Sequence, residues 1–463
     1  MDDMRRNRTL EDIDRESYFH PVTAIADHLA RGATVMESGA GVRVKDHTGK
    51  TYLDAMAGLW CVNVGYGRQE LADAAATVLA DLGYFHSFAS MANEPIIRLA
   101  DKVLQLLRDE AGQKQMSRVF FANSGSEAND TAFKLARYVN NLRGRPEKKK
   151  IIGRLGGYHG VGLGAGSVTG IPAYHKAFDL PLPGVLHVSC PHYYGFGLPG
   201  ESEADFSARL VAELEETIAR EGGETIAAFF AEPVIGAGGV FLPPVGYFEG
   251  VQKLLKAHDI LFVADEVICG FGRLGAWFGS GLHGLKPDLL TFAKGITSGY
   301  FPTSGVAVAK GVWETLADTS PEMGAFAHGF TYSGHPVGGA IGLANLAIIE
   351  REGLVANAAA MGPRLVAALE ARVGGHPNVG QVRGQGLVAA VEIVKDRETR
   401  EKFETVGATT RKIAAAAFER GLITRPVAFG EANVFAPPLI IGEKDIDEIA
   451  DLYGAALEEV LGT

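Results

Sequence analysis

The chain has 463 residues, of which 47% are hydrophobic and 21% are charged, a balance that excludes a disordered or fibrous protein. Its length is sufficient for a large domain and a smaller one. The formal net charge of -11 at pH 7 argues against nucleic acid and membranes as partners, because a uniformly acidic surface repels both polyanions and anionic lipids.

In chain order, the first predicted elements are a strand at Val42–Lys45, a turn at Asp46–Gly49 and a strand at Thr51–Asp54. The middle of the chain contains short apolar runs without alternation, which are typical of strands buried on both faces, separated by amphipathic stretches. The predicted strands there are Val119–Phe121, Lys150–Ile152, Ala227–Phe230, Ile260–Ala264, Leu289–Phe292 and Gly305–Ala309, and the clearest helices are Phe206–Arg220 and Tyr247–Ala257. This alternation predicts an α/β domain with a mainly parallel sheet.

The C-terminal part has a different pattern. It predicts a long helix over Val337–Arg351, a strand over Gly386–Val394 and a final helix over Lys444–Leu461. We expect the two chain ends to form one small α+β domain. The predicted boundaries are an N-terminal segment with part of the small domain over 1–75, a large domain over 76–335 and a C-terminal small domain over 336–463.

The three cysteines, Cys61, Cys190 and Cys269, are far apart and form no Cys-x-x-Cys pattern. Neither a disulfide framework nor a metal site is predicted, and a reducing, cytoplasmic location is favoured. The charged start of the chain lacks the apolar core of a secretory signal. No apolar run is long enough to predict a membrane span.

Lys294 is a candidate nucleophile because it directly follows a buried apolar run and precedes Gly295 and Gly299. Glycines allow a ligand to approach the backbone closely, and a buried amine loses its proton readily, which leaves it able to attack a carbonyl carbon. Most lysines lie on solvated surfaces, so the position of this one needs support from other residues.

Asp265 ends another apolar run, and a buried carboxylate there requires a partner. A protonated pyridine nitrogen is one such partner, because the pair strengthens the ring as an electron sink. A helix cap or an ion pair with an arginine such as Arg273 is the alternative.

A third pattern combines a strand, a turn of small residues and the start of a helix at Asn123–Asp130. Exposed N–H groups and the helix dipole make such a turn an anion site, and Ser124, Gly125 and Ser126 would hold a phosphate. An ordinary N-cap by one of the serines is the alternative. Glycine-flanked Tyr158 follows the next strand, where its ring would lie on a flat ligand or pack over its own loop.

These features occur together in an order that resembles the class III aminotransferases, within the fold-type I pyridoxal-phosphate-dependent enzymes. The matching stretches are Ser-Gly-Ser-Glu-Ala-Asn (124–129), Gly-Tyr-His-Gly (157–160), Ala-Glu-Pro (231–233), Ala-Asp-Glu-Val-Ile-Cys-Gly-Phe-Gly-Arg (264–273), Ala-Lys-Gly (293–295) and Gly-Phe-Thr-Tyr-Ser-Gly-His-Pro (329–336). The resemblance extends from about Tyr18 to the end, and the block around Asp265 followed by Lys294 is highly specific.

The resemblance implies a role for each matched residue. Lys294 would carry pyridoxal 5'-phosphate as a Schiff base and shuttle a proton. Asp265 would pair with the pyridine nitrogen of the cofactor. Val267 would lie on one face of the cofactor ring and Tyr158 on the other. The remaining expected cofactor contacts are Ser124, Gly125, Ser126, His159 and Glu232, with Phe330 and Thr331 reaching the phosphate of a neighbouring subunit. Such a shared site requires a homodimer or a larger assembly such as a tetramer.

The substrate side resembles the amine:pyruvate group, which includes putrescine–pyruvate and β-alanine–pyruvate aminotransferases. Leu59, Trp60 and Tyr158, with Phe85 and Phe88 from the partner chain, would line an apolar slot for the amine. Arg425 matches the arginine that binds the acceptor's carboxylate. Relatives specific for 2-oxoglutarate often mask this arginine with a glutamate, and Ala237 occupies that position here, which predicts pyruvate as acceptor.

One stretch departs from the family pattern: Val161–Gly166 follows Gly-Tyr-His-Gly where many relatives have hydroxyl residues. The predicted reaction is transfer of nitrogen from a primary amine or ω-amino acid to pyruvate, giving alanine. An aminomutase or decarboxylase of the same superfamily, and a non-catalytic protein with the same fold, are the alternatives. The sequence leaves the natural amine open.

Overall fold

A computed structural model describes residues 8–462, without the side chain of Ser320. The first seven residues of the predicted N-terminal segment and the last residue of the predicted C-terminal domain lie outside this range. Near the N-terminus, a meander contains β1 (Met36–Ala40), β2 (Arg43–Asp46) and β3 (Thr51–Asp54). The predicted hairpin is therefore present, and β1 is a strand that the sequence pattern missed.

The central sheet has seven strands, six of which contain or closely match the predicted runs. They are β4 (Met116–Ala122), β5 (Lys150–Arg154), β6 (Val185–Val188), β7 (Ile226–Ala231), β8 (Leu261–Asp265), β9 (Leu289–Phe292) and β10 (Ser304–Ala309). Their order is β4-β10-β9-β8-β7-β5-β6, and β10 runs antiparallel to both of its neighbours. The remaining pairings are parallel, which confirms the mainly parallel sheet.

The C-terminal region contributes β11 (Val379–Gly384), β12 (Ala389–Ile393), β13 (Leu422–Ile423), β14 (Arg425–Val427) and β15 (Ala432–Phe435). Four of these form an antiparallel sheet in the order β11-β12-β15-β14. β13 instead pairs in parallel with β3, so the two chain ends share a sheet. The predicted domain boundaries themselves stay a prediction.

The predicted strand over 386–394 is too long at its start. Gly386 has a φ of +55°, and the backbone turns through 385–388 before β12 begins. A Cβ at position 386 would lie 2.2 Å from the backbone of Leu274, so this glycine is required by a close approach of two chain segments. An apolar run is therefore insufficient to locate a strand start when a glycine turn lies within it.

Helices cover both faces of the central sheet. The helices are α1 (Leu10–Ser17), α2 (Ile25–Arg31), α3 (Ala57–Trp60), α4 (Gln69–Asp81), α5 (Glu94–Gln105), α6 (Gly125–Leu142), α7 (Leu163–Val168), α8 (Tyr193–Phe196), α9 (Glu203–Glu221), α10 (Tyr247–Ala257), α11 (Gly279–Leu282), α12 (Lys310–Met323), α13 (Pro336–Arg351), α14 (Leu354–Val373), α15 (Ala408–Glu419) and α16 (Glu443–Leu461). One face of the sheet packs against α6, and the other against α9 and α10. None of the helices within residues 8–462 is long and apolar enough to cross a membrane.

The parallel strands determine where polar residues meet. β7, β8 and β9 are neighbours in the sheet and run in the same direction. Their carboxyl ends therefore lie at one edge, which is where open α/β sheets place their ligands. Glu232 follows β7, Asp265 ends β8, and Lys294 follows β9 by one residue.

Candidate functional site

A cavity of about 420 Å³ opens at this edge of the sheet. Its volume is within the range of small-molecule sites. Lys294, Asp265 and Glu232 all line it, together with the start of α6 and Arg425, the first residue of β14. The structure thus brings together three residues that are far apart in the sequence.

Lys294 has an unusual backbone and an unusual electrostatic setting. Its φ of +45° is in a region that residues other than glycine rarely occupy. Burial lowers the pKa of its amine, and the positive charge of Arg425 acts in the same direction, while Asp265 and Glu232 oppose it. The neutral amine that nucleophilic attack requires is therefore more accessible here than on an ordinary lysine.

Asp265 is buried and accepts hydrogen bonds from both sides. Its Oδ2 lies 2.8 Å from His159 Nδ1 and 2.8 Å from Asn129 Nδ2, and its Oδ1 accepts from the Val267 N–H at 3.0 Å. A carboxylate oxygen accepts at each of these contacts, so His159 donates from Nδ1. The three contacts fix the orientation of the Asp265 carboxylate at the cavity wall.

The alternative ion pair between Asp265 and Arg273 is wrong. The guanidinium of Arg273 is buried elsewhere, where it donates to the carbonyls of Leu387 and Pro437 and to Asn63 Oδ1. Burial lowers the pKa of Arg273 to about 10. Arg273 therefore connects the central domain to the C-terminal region and leaves Asp265 to the cavity.

The N-terminus of α6 forms one wall. Gly125 and Ser126 line the cavity, and Ser126 Oγ accepts from the Val161 N–H at 3.1 Å. A Cβ at position 125 would lie 3.0 Å from Val267 Cγ1, so only a glycine fits comfortably beside that valine. Ser124 acts as the N-cap, accepting from the Glu127 N–H, and does not line the cavity. The capping interpretation is thus correct for Ser124, while the anion-site geometry remains for the next two residues.

Glu232 is buried, and its oxygens accept from the N–H groups of Tyr158 and Gly236 at 3.0 and 2.9 Å. Burial raises the pKa of Glu232. The carboxylate therefore fixes two loops at once, the one carrying Tyr158 and the one carrying Ala237. The Tyr158 ring packs against Tyr174 at 5.2 Å between centroids.

Trp60 lies close to two basic side chains. The centre of its ring is 5.6 Å from Lys294 Nζ and 5.2 Å from Arg425 Cζ. Leu59 and Ala237 complete this side of the cavity. Among the described residues, none forms an ion pair or a hydrogen bond with the Arg425 guanidinium, so this arginine faces the cavity with its donors available.

Besides Ser124, four predicted residues do not line this cavity within one chain: Phe85, Phe88, Phe330 and Thr331. They are nevertheless close to one another. Tyr84 donates to the Thr331 carbonyl at 2.7 Å, and a Cβ at Gly329 would lie 2.8 Å from the Phe88 ring. The segment of Phe85 and Phe88 and the segment of Phe330 and Thr331, both expected to contribute to the site of a partner subunit, therefore form one surface region.

Sequence reasoning missed several residues that line the cavity, among them Asn129, Tyr174, Pro21 and Val22. Asn129 belongs to the Ser-Gly-Ser-Glu-Ala-Asn motif (124–129), and its position one turn into α6 could have indicated a role in the site. Pro21 and Val22 belong to the N-terminal segment, for which no signal was available.

The turn that carries Pro21 is held by Asp14, whose Oδ1 lies 2.7 Å from His20 Nε2 and whose Oδ2 lies 3.1 Å from His28 Nε2. These three side chains are close enough to share a metal ion. The sequence-based expectation of no metal site therefore stays a prediction.

The residues of the cavity fit pyridoxal phosphate. A lysine with a lowered pKa, a carboxylate held by three hydrogen bonds and the N-terminus of an 18-residue helix face one space. These groups match, in turn, the aldehyde, the pyridine nitrogen and the phosphate. His159 Nε2 is buried without a hydrogen-bond partner among the described residues, which leaves a polar atom for a bound group.

Comparisons with known proteins agree with this chemistry. The family model described as Aminotransferase class-III matches residues 26–457. A diaminobutyrate–2-oxoglutarate transaminase from Halomonas elongata is 45% identical over 461 residues, covering 99% of this chain and 97% of the relative. The mitochondrial gamma aminobutyrate transaminase 1 of Solanum lycopersicum is 43% identical over 425 residues, covering 92% of this chain and 81% of the relative.

A comparison with solved structures gives the same result. The crystal structure of the omega transaminase from Pseudomonas jessenii in complex with PMP has a TM-score of 0.94 and 46% sequence identity, covering 98% of each chain. Sequence and fold therefore match over nearly the whole length. The chain belongs to the class-III aminotransferases, enzymes that transfer amino groups with pyridoxal phosphate as cofactor.

Proposed function

We propose that this aminotransferase takes nitrogen from a primary amine or ω-amino acid and gives it to pyruvate, forming alanine. The observation that carries the proposal is the unpaired guanidinium of Arg425 beside Ala237 in the wall of the cavity. An arginine without a carboxylate partner is ready to bind the single carboxylate of a small keto acid. A glutamate at position 237 would compete for that arginine.

We assign the following roles to the chain's own groups. Lys294 Nζ would hold the cofactor and would accept the proton from the donor's reacting carbon. Bound pyridoxal phosphate supplies an aldehyde that accepts the nitrogen and a ring that withdraws electrons from that carbon. The lowered pKa of Lys294 favours the neutral amine, which is the form that can accept this proton.

The remaining cavity residues position the ring. The Asp265 carboxylate, which His159 and Asn129 hold in place, would pair with the pyridine nitrogen. Tyr158 and Val267 would lie against the ring, and Gly125 and Ser126 would present the N-terminus of α6 to the phosphate. Glu232 acts at a distance from the reacting atoms by fixing the loop of Tyr158.

We also propose that the functional unit is at least a homodimer. Phe85 and Phe88 lie beside the segment of Phe330 and Thr331, on a surface separate from the chain's own cavity. A partner subunit placed against that surface would receive two aromatic residues at its substrate slot and a hydroxyl at its phosphate. Sedimentation velocity of the holoenzyme tests this assignment, and a monomer with full activity would contradict it.

The acceptor is tested by steady-state kinetics with one amine donor and a choice of keto acids. We expect kcat/KM for pyruvate to exceed that for 2-oxoglutarate by about tenfold or more. Hydrogen bonds between a carboxylate and a charged group such as the Arg425 guanidinium contribute on that scale. Ala237→Glu, which gives Arg425 an internal partner, should raise the KM for pyruvate. The H. elongata relative is named for 2-oxoglutarate. Faster turnover of 2-oxoglutarate than of pyruvate would therefore overturn the proposal.

Two further outcomes separate the alternatives within the superfamily. Release of carbon dioxide, or turnover without any keto acid, would indicate a decarboxylase or an aminomutase. Loss of the visible absorbance of the bound cofactor in Lys294→Ala, together with loss of activity, is expected for a transaminase. A fully active Lys294→Ala variant would contradict the role of Lys294.

A further inference from the structure

A second cavity of about 590 Å³ lies directly beside the one that contains Lys294. The two cavities share Pro21, Val22, Tyr174, Ala237 and Arg425 as common wall. The two cavities therefore meet at these residues, with Arg425 at the junction. We call this second space the outer chamber.

The outer chamber is apolar beyond that shared wall. Arg425 is its only charged side chain among the described residues, and Tyr174 is its only other polar one. The rest of the lining is aliphatic or aromatic, with Leu180 and Phe429 as deeper examples. An apolar space of this size favours hydrocarbon over a second charged group.

The rim of the outer chamber exposes large apolar side chains. Val161 is 60% exposed, Leu163 is 66% exposed and Phe178 is 69% exposed. Clustered exposed apolar residues usually mark a binding surface, because leaving them in water costs free energy. Val161 and Leu163 belong to the stretch that departs from the hydroxyl residues common in the family. That departure thus makes the chamber more apolar at its entrance.

We infer that the outer chamber binds the apolar tail of the amine donor, so that the preferred donors are monoamines with a long alkyl or aryl chain. The inference rests on the proposed function. The amino end would react at Lys294 while the tail passes Arg425 and displaces water from the chamber. A terminal ammonium would be repelled by Arg425, and a terminal carboxylate would stop at that arginine. Diamines should therefore be the poorer donors.

The test is the first half-reaction of the cofactor-loaded enzyme, followed by the change in cofactor absorbance on mixing with straight-chain amines from propylamine to dodecylamine. We expect kcat/KM to rise about two- to fourfold for each added methylene until the chamber is filled, in line with the transfer free energy of a buried CH₂. 1,8-Diaminooctane should react more slowly than octylamine. A flat dependence on chain length, or equal rates for these two amines, would overturn the inference.

A pair of matched variants identifies the chamber as the cause. Leu163→Ser places a hydroxyl at the rim and should reduce the preference for dodecylamine over propylamine about tenfold, because it lowers the apolar area available to the tail. Leu198→Ser makes the same change at a similarly exposed leucine, 57% exposed and outside both cavities, and should preserve that preference. An unchanged preference in Leu163→Ser would contradict the inference.

The role of the outer chamber and the transaminase reaction are tested by different outcomes. If the enzyme reacts with L-alanine and propylamine but gains nothing from longer chains, the outer chamber has no role in donor binding and the transaminase assignment is unaffected. If no amine and no L-alanine changes the cofactor absorbance, the proposed reaction itself is wrong.

Discussion

The guanidinium carbon of Arg425 lies 5.2 Å from the centre of the Trp60 ring, and no described residue neutralises it. The ring holds the cation at the cavity wall through its negative face without consuming any of its hydrogen-bond donors. Arg425 is thereby positioned but still able to bind a carboxylate. It also lies at the junction between the reaction cavity and the outer chamber.

Replacement of Arg425 by leucine should therefore affect the acceptor more than an uncharged donor. We expect the KM for pyruvate to rise about tenfold to a hundredfold, the effect of losing hydrogen bonds to a charged group. The half-reaction with propylamine should change far less. Separate half-reaction kinetics for donor and acceptor measure the two effects.

Arg118→Leu is the matched control, because Arg118 lies over the Trp313 ring at 4.8 Å and outside the cavity. It should change neither half-reaction. An equal loss with pyruvate and propylamine in Arg425→Leu would show that the arginine supports the fold of the site rather than the acceptor.

Asp265→Asn should weaken both cofactor retention and turnover. The carboxylate accepts from His159 and Asn129 at one oxygen and from the Val267 N–H at the other. An amide offers one acceptor and one donor, so one of these contacts becomes a clash between donors. We expect at least about a tenfold fall in kcat, since a charged hydrogen bond to the ring nitrogen is lost as well.

Equilibrium dialysis of the cofactor and steady-state kinetics measure this change. Asp288→Asn is a suitable control, because Asp288 is another carboxylate at a strand end, bonded to the Phe262 N–H, and lies outside the cavity. Its amide can still accept that hydrogen bond, and activity should persist. Wild-type cofactor affinity in Asp265→Asn would show that the ring nitrogen has a different partner.

The residues that the sequence predicted best are those fixed by the direction of the strands. Asp265 and Lys294 end or follow buried apolar runs, and parallel neighbours necessarily bring such ends together. The same logic could not find Asn129, because its contact with Asp265 joins residues 136 positions apart and depends on how α6 is oriented. Pro21 could not be predicted for a similar reason. The N-terminal segment folds back over the cavity, and no pattern in its sequence indicates where it packs.

Glu392→Gln should destabilise the fold. Although burial alone would raise the pKa of Glu392, its hydrogen bond with His192 and the charges of Arg383 and Lys402 hold it well below its usual range. Removal of this charge leaves Arg383 buried without a counter-ion, which costs about 3 kcal/mol. Urea unfolding at pH 7 measures the loss of unfolding free energy.

The pH dependence follows from the same carboxylate. Because its pKa is lower in the folded than in the unfolded protein, its stabilising effect is complete above the usual pKa of glutamate and is lost as the pH falls through the folded value. Glu314→Gln is the control, since the pair of Glu314 with Lys310 is exposed and spans 3.6 Å. It should cost less than about 1 kcal/mol. An equal effect of both substitutions would mean that the buried network contributes no more than a surface pair.

In the apo-protein, Lys294 should become reactive at a lower pH than an ordinary lysine does. Burial is the main cause, and the charge of Arg425 adds to it, while that of Asp265 opposes it. Two charge changes should therefore move the midpoint in opposite directions. Arg425→Leu removes a positive charge and should raise the pKa of Lys294, and Asp265→Asn removes a negative charge and should lower it.

The midpoint is measured by labelling the apo-protein with acetic anhydride across a pH series and quantifying modified Lys294 by peptide mass mapping. Lys310, which is exposed, serves as an internal reference in the same digests. Shifts in the same direction for both variants would indicate that the substitutions act by opening the cavity to water. In that case the pKa of Lys294 would depend on solvation alone, and the charges of Arg425 and Asp265 would not contribute to it.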